Sequence, residues 1–298
     1  MSYRPFFSII IPTYNRPDRL GNCLKAIAQI DYPQDRFEVI VVDDGSKTPL
    51  DSVVIPLQNQ ISIKLLRQEN AGPAAARNRG AVEARGEYLA FTDDDCQPTT
   101  SWLTQFAASF ANSPQAMLGG KTINALQSNP FSTASQKLID YLYEYYNPAK
   151  GKSAFFASNN IAMPAENFKA LNGFDVSFPL AAAEDRDFCD RWDLAYPMVY
   201  VPEAQIEHYH KLSLKSFWRQ HFGYGRGAFC FHQIRSQRSA KEIEVEPVSF
   251  YFDLLAYPFS QTDKQPKILI SSLFLVSQIA NVAGFFWEKL QLGSAKTS

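Results

Sequence analysis

Four short apolar runs, each halted by a polar or turn-forming cluster, constrain the fold of this chain more than any other feature. Phe6 to Ile11 is β-branched and apolar and stops at Pro12-Thr13-Tyr14-Asn15. Phe37 to Val42 is closed by Asp43-Asp44-Gly45-Ser46, Ile61 to Leu66 is a third run, and Tyr88 to Phe91 leads into Asp93-Asp94-Asp95. Runs that are apolar on both faces need cover on both sides, which is the environment of parallel strands under helices. Two helices are expected between them. Arg19 to Ile30 carries a stripe of Leu20, Leu24, Ile27 and Ala28 with Asp18 as its N-cap, and Ala74 to Ala84 follows Gly72-Pro73. The pattern predicts a doubly wound α/β domain, in which ligands sit beyond the carboxyl ends of the strands. Neither G-x-G-x-x-G nor G-x-x-x-x-G-K-[ST] occurs at a strand-to-helix turn, which disfavours a dinucleotide or P-loop site.

Charge and cysteine usage narrow the class. Lys and Arg total 29 against 30 Asp and Glu, so the chain as a whole is no nucleic-acid polyelectrolyte. Four well-separated cysteines with no C-x-x-C pair argue against a zinc site or a disulfide framework and fit a reducing compartment. The first residues read as a strand and not a secretion signal. One asymmetry stands out: seven Lys/Arg, all four histidines and no acidic residue lie between His208 and Lys241. That stretch is either a solvated basic face or a place for an anion.

Asp93-Asp94-Asp95 is the most informative cluster. Adjacent carboxylates repel, and they make chemical sense beside Mg²⁺ or Mn²⁺, which prefer hard oxygen ligands and phosphate oxygens. In an extended segment Asp93 and Asp95 would share a face while Asp94 points away. A second acidic group, Glu184-Asp185-Arg186-Asp187, reads as a helix start, where carboxylates complement the helix dipole or one of them serves as a general base. Tyr141 to Tyr146 is either a helix face or a sugar-stacking patch.

Ile9 to Arg16, Val41 to Ser46, Asn70-Ala71-Gly72 with Ala76 to Gly80, and Tyr88 to Asp95 together resemble family 2 glycosyltransferases. Ser158 to Ala162, Leu171 to Asp175 and Glu184-Asp185 extend the resemblance in the family's order over residues 6 to 230. The resemblance implies a GT-A fold over residues 1–246, with a nucleotide-sugar half to about 120 and an acceptor half beyond, followed by a helical tail over 247–298. It further implies a nucleotide-diphospho-sugar donor, a divalent metal and inversion at the anomeric carbon. Carried over to this chain, Pro12, Thr13 and Asp44 would hold base and ribose. Asp93 and Asp95 match D-x-D, with Asp95 the direct metal ligand, and His208 would bind metal or diphosphate. Asp185 matches the general base. Arg77, Asp94, Asn160, Glu184 and Arg226 complete the expected donor site, with Arg226 and Lys211 as diphosphate clamps of the kind guanidinium and ammonium groups provide.

The processive synthases of this family carry Q-x-x-R-W. Here Arg191-Trp192 occurs with Phe188 in place of the glutamine, so transfer of single sugars is expected. A UDP-sugar donor, a saccharide or lipid-linked acceptor and a role in cell-surface polysaccharide biosynthesis follow as expectations. The alternatives are a catalytically silent nucleotide-sugar-binding scaffold and a nucleotidyltransferase. The scaffold is disfavoured by the joint presence of Asp93, Asp95 and Asp185. The nucleotidyltransferase is disfavoured by the missing glycine- and lysine-rich N-terminal loop. Ile268 to Trp287 holds twenty residues without a charge, enough at ~1.5 Å per residue to cross a bilayer core of ~30 Å, though five polar residues interrupt it. It is read as a membrane-embedded or interfacial helix, a helix packed on the domain, or an oligomer contact. The expected location is the cytoplasmic face of the cell membrane.

Overall fold

The computed structural model describes residues 3–147, 153–178, 182–239, 246–262 and 264–295. Its strands are β1 Phe7–Thr13, β2 Phe37–Asp43, β3 Ile63–Arg67, β4 Tyr88–Thr92, β5 Cys96–Pro98, β6 Met117–Asn124, β7 Asn160–Pro164 and β8 Met198–His208. The α-helices are α1 Pro17–Ile27, α2 Asp51–Val54, α3 Pro73–Val82, α4 Trp102–Phe110, α5 Pro130–Tyr146, α6 Ala165–Ala170, α7 Glu184–Asp193, α8 Leu214–Ser239, α9 Val248–Ser260 and α10 Lys267–Ala295. The chain divides into two compact units that interleave in sequence. The first holds Met1–Ile123, Asn147–Val176 and Phe188–Tyr209; the second holds Asn124–Tyr146, Ser177–Asp187 and His210–Ser298.

The first unit is built on one sheet of order β3-β2-β1-β4-β7-β6-β8-β5. β1 runs parallel to β2 and β4, as the unbroken burial of these three requires, and β2 runs parallel to β3, a partly exposed edge strand. β7 turns antiparallel against β4 and β6, and β5 against β8, so the sheet is mixed. Phe7, Ile9, Ile11, Leu20, Leu24, Val39, Val41 and Phe106 belong to its main core. α3 lies close on β1, because Gly80 leaves space that a Cβ would contest with Ile10 at 2.6 Å.

Local boundaries differ from the sequence reading in two informative ways. α1 begins at Pro17, a proline at the first helical position, so Asp18 falls in the first turn and Arg16 takes the cap position. β4 ends at Thr92, so Asp93-Asp94-Asp95 forms a turn and the alternation expected of an extended strand does not apply.

The second unit is helical. Leu138, Tyr141, Phe217, Phe250, Leu254, Tyr257, Ile270, Leu273 and Phe274 form its core from α5, α8, α9 and α10. Within the tyrosine run, Tyr141 and Tyr143 are buried and serve packing, whereas Tyr145 stays exposed. Tyr141 meets the Phe250 and Tyr257 rings edge-on at 5.1 and 5.4 Å and donates its hydroxyl to the Phe250 carbonyl. α8 and α10 cross at glycines: a Cβ on Gly225 would stand 1.9 Å from the Asn281 carbonyl oxygen, and one on Gly284 2.0 Å from that of Phe222. Residues 247–298, set apart in the sequence as a tail, belong to this unit with α5 and α8.

Candidate active site

The carboxyl ends of β1, β2 and β4 bring three polar loops to one edge of the sheet. The β4 turn is held by charge. Arg77 on α3 donates to Asp93 at 2.7 Å. Arg16 donates to Asp94 Oδ1 at 3.1 Å, and Thr13 Oγ1 donates to Asp94 Oδ2 at 2.7 Å. Arg19, one turn along from Arg16, donates to Asp95 Oδ2 at 2.8 Å. Three neighbouring carboxylates, two of them buried, are thus met by three guanidinium groups, which makes their burial tolerable. Burial pushes the Asp94 carboxyl up to about 6, against the pull of Arg16 and with the push of Asp95.

Asp44, buried at the end of β2, accepts from Gln68 Nε2, Asn70 Nδ2 and the backbone N–H groups of Ala71 and Gly72. The carboxylate therefore organises the 68–72 loop leading into α3, the helix that carries Arg77. Gly45 next to it has φ +86°, a left-handed turn in which a Cβ would also stand 2.9 Å from Asn70 N. Ser46 N donates to Asp43, and Asn15 N donates to Ser46 Oγ, which ties the β1 and β2 loops together. Pro12 lies inside β1 opposite Val42, leaving Thr13 as the residue of that pair that reaches the acidic turn.

β5 pairs with β8 so that Cys96 stands opposite His208. His208 Nε2 comes within 3.3 Å of Asp95 Oδ1. Asp95, Cys96 and His208 each present one ligand atom, all within 4.8 Å of one another, and so form a group able to hold a metal ion. An oxygen and a nitrogen donor suit Mn²⁺ or Mg²⁺ with phosphate oxygens completing the shell, so the residues present fit the implied ion. Asp93, expected beside Asp95 as a ligand, turns instead to Arg77.

Two other expected donor residues serve packing. Asn160 is wholly buried; its Oδ1 accepts from Trp102 Nε1, and its Nδ2 donates to the carbonyls of Lys121 and Ala204. It stitches β7 to α4, β6 and β8, with no N–H left for a ligand. Arg226 on α8 is held by Glu288 of α10. That pair was hidden in the sequence because its acidic member lies beyond the basic stretch.

In the second unit, Glu184 and Asp185 occupy the first turn of α7, and Asp185 Oδ1 accepts from the Arg186 backbone N–H. The preceding Ala183 has φ +72°, a strained value for a residue with a Cβ. Asp187 is buried and accepts from Arg238 at 2.8 Å.

Arg16, Arg19 and Cys96 are the residues that sequence reasoning passed over. Three adjacent carboxylates demand counter-ions, and the arginines at the start of the helix after β1 were available at the same sheet edge.

A profile of the family described as glycosyl transferase family 2 matches residues 8–171, more than half of the chain. The chain belongs to that family. Glycosyltransferase AglE of Haloferax volcanii is 34% identical over 119 residues, 39% of each chain. The poly(ribitol-phosphate) β-N-acetylglucosaminyltransferase TarS of Staphylococcus aureus is 36% identical over 91 residues, 30% of this chain and 16% of that one. The matched stretches thus span well under two thirds of these relatives. Among solved structures, mannosyltransferase PcManGT of Pyrobaculum calidifontis, in complex with GDP-Man and Mn²⁺, superposes with TM-score 0.63 at 18% identity over 99% of this chain and 81% of that one. The structure of S. aureus TarS 1–349 gives 0.55 at 17% identity, covering 98% and 92%. These likenesses establish the GT-A fold for the family 2 chain.

Proposed function

We propose that this glycosyltransferase moves a single sugar from a UDP-sugar to a saccharide or lipid-linked acceptor, with inversion, in cell-surface polysaccharide synthesis. The observation that carries the reading is the Asp93–Asp95 turn, clamped by Arg16, Arg19 and Arg77 at the carboxyl edge of the sheet. TarS has been solved with UDP and with UDP-GlcNAc, which supports a nucleotide-sugar donor, while PcManGT with GDP-Man keeps the base open to test.

Asp95 and His208 would hold Mn²⁺ or Mg²⁺, which when bound supplies positive charge to the departing diphosphate. The chain's own residues do the rest. Arg16 and Arg19 hold Asp94 and Asp95 in place, and Arg77 fixes Asp93. Asp44 keeps the 68–72 loop shaped for the nucleoside. Asp185 takes the proton of the acceptor hydroxyl as its oxygen attacks the anomeric carbon from the face opposite the leaving group. One displacement with one base inverts the centre.

α10 extends the reading to location. Lys267–Leu292 is long and apolar enough to cross a membrane, and a third of its most apolar window is buried in the protein. One face, with Ile270, Phe274, Ser277 and Ala280, is buried, whereas Ile268, Leu275, Ile279, Val282, Phe286 and Leu290 are each more than half exposed. A helix packed on one side and apolar on the other suits the boundary between headgroups and acyl chains. The enzyme therefore works at the cytoplasmic membrane surface.

Thermal unfolding with a panel of nucleotides, each with and without Mn²⁺, tests the donor. Saturation at a hundred times the Kd stabilises by roughly 2.7 kcal/mol, a shift of several degrees. UDP is expected to give that shift only with Mn²⁺, and Asp95→Ala to lose it. A shift with GDP alone would change the donor, and no shift with any nucleotide would favour a silent scaffold.

A further inference from the structure

We propose that Asp95, Cys96 and His208 form a mixed oxygen, sulfur and nitrogen site that takes Zn²⁺ through the Cys96 thiolate, in competition with Mn²⁺ or Mg²⁺. The inference goes beyond sugar transfer: it concerns which ion these side chains select. Cys96 is wholly buried and stands opposite His208 in the β5–β8 pair, so the sheet itself holds sulfur and imidazole on neighbouring strands. The three ligand atoms lie within 4.8 Å of one another. Tetrahedral zinc, with bonds of about 2.0–2.3 Å, needs ligand separations near 3.5 Å, so no pair has to close by much more than about an ångström.

The chemistry of the set favours a softer ion. Mg²⁺ and Mn²⁺ gain little from sulfur, whereas a thiolate raises affinity for Zn²⁺ well above that of an oxygen and nitrogen pair. Three protein ligands with an open fourth position are also the usual arrangement of reactive zinc sites. The surroundings are prepared for it. Asn159 Nδ2 points at Cys96 Sγ from 3.9 Å, a donor placed to support a thiolate. Arg16 and Arg19 approach Oδ2 of Asp95, leaving Oδ1 on the side of His208. Zinc takes the sulfur as thiolate, so binding releases the Cys96 proton to solvent. Zinc held this way occupies the Asp95 and His208 ligands and blocks Mn²⁺. Cysteine spacing could not reveal the site, since its histidine lies about a hundred residues further along the chain.

Cobalt substitution of the purified full chain provides the test, because Co²⁺ bound by a thiolate shows a near-ultraviolet charge-transfer band. The wild type is expected to show the band and to lose it to one equivalent of Zn²⁺. Cys96→Ser is expected to lack it and to bind Zn²⁺ more weakly by more than the ~10–100-fold typical of removing an outer partner. Should Cys96→Ser fail to fold, His208→Gln keeps the thiol, and in it the band is expected to persist with zinc affinity reduced at least tenfold. Folded wild-type protein without the band, or a band unchanged in Cys96→Ser, overturns the proposal, as does unchanged zinc affinity in His208→Gln. Mn²⁺-dependent nucleotide binding, measured alongside, reports on the transfer reaction separately and stands or falls on its own.

Discussion

At the residue scale, the site is an exercise in neutralising charge. Asp93, Asp94 and Asp95 survive side by side because Arg16 at the cap of α1, Arg19 in its first turn and Arg77 on α3 reach them. Asp185 has a different duty on the proposed mechanism. Asp185→Asn is expected to lower kcat by roughly 10²–10⁴-fold, the usual contribution of a general base, while nucleotide binding by calorimetry stays unchanged. His221 offers a test unrelated to catalysis. Burial, with a smaller contribution from His210, lowers its imidazole to about 4, and its Nε2 has no hydrogen-bond partner. A base lowered from the ordinary histidine value of 6.5 keeps its full contribution above pH 6.5 and loses it as pH falls toward 4, because the unfolded chain binds the proton first. The loss is on the order of 3 kcal/mol at 1.36 kcal/mol per unit. Urea unfolding from pH 7 to pH 4 should show that slope in the wild type and a flatter one in His221→Phe.

At the element scale, small residues set how closely helices approach. α3 lies on β1 through Gly80, which places Arg77 at the acidic turn, and α8 meets α10 through Gly225 and Gly284. Gly225→Val would drive a side chain into the Asn281 carbonyl. It is expected to destabilise by about 1–3 kcal/mol or more, read as a lower Tm, whereas Gln237→Ala at an exposed position of the same helix leaves Tm nearly unchanged. The first four strands and the first helices were legible in the sequence, because apolar runs and the helical stripe are local signals, whereas β5 to β8 were not. Their ends were less so. Pro17 moved the start of α1, and the end of β4 at Thr92 turned an expected strand face into a turn.

At the scale of the whole molecule, the location proposed for the enzyme rests on α10, a helix long and apolar enough to cross a membrane. Its exposed apolar face predicts binding to vesicles containing anionic lipid, with Lys267 and Lys289 at the two ends of the apolar segment. Changing Ile279, Val282 and Phe286 together to Ser is expected to abolish co-flotation with such vesicles while leaving nucleotide binding intact. Retained flotation would assign the face to another purpose.

The sequence by itself determined the first four strands, the acidic cluster and membership of a family, since each is written in contiguous residues or in motifs kept in order. Only the tertiary structure decided which partners those residues take. Asp93 goes to Arg77, Asn160 to Trp102, Arg226 to Glu288, and Cys96 comes beside His208. Each of these pairs joins positions far apart in the chain. Burial makes an unpartnered charge or amide costly, so the fold assigns a partner to each, and spacing along the chain carries no record of which.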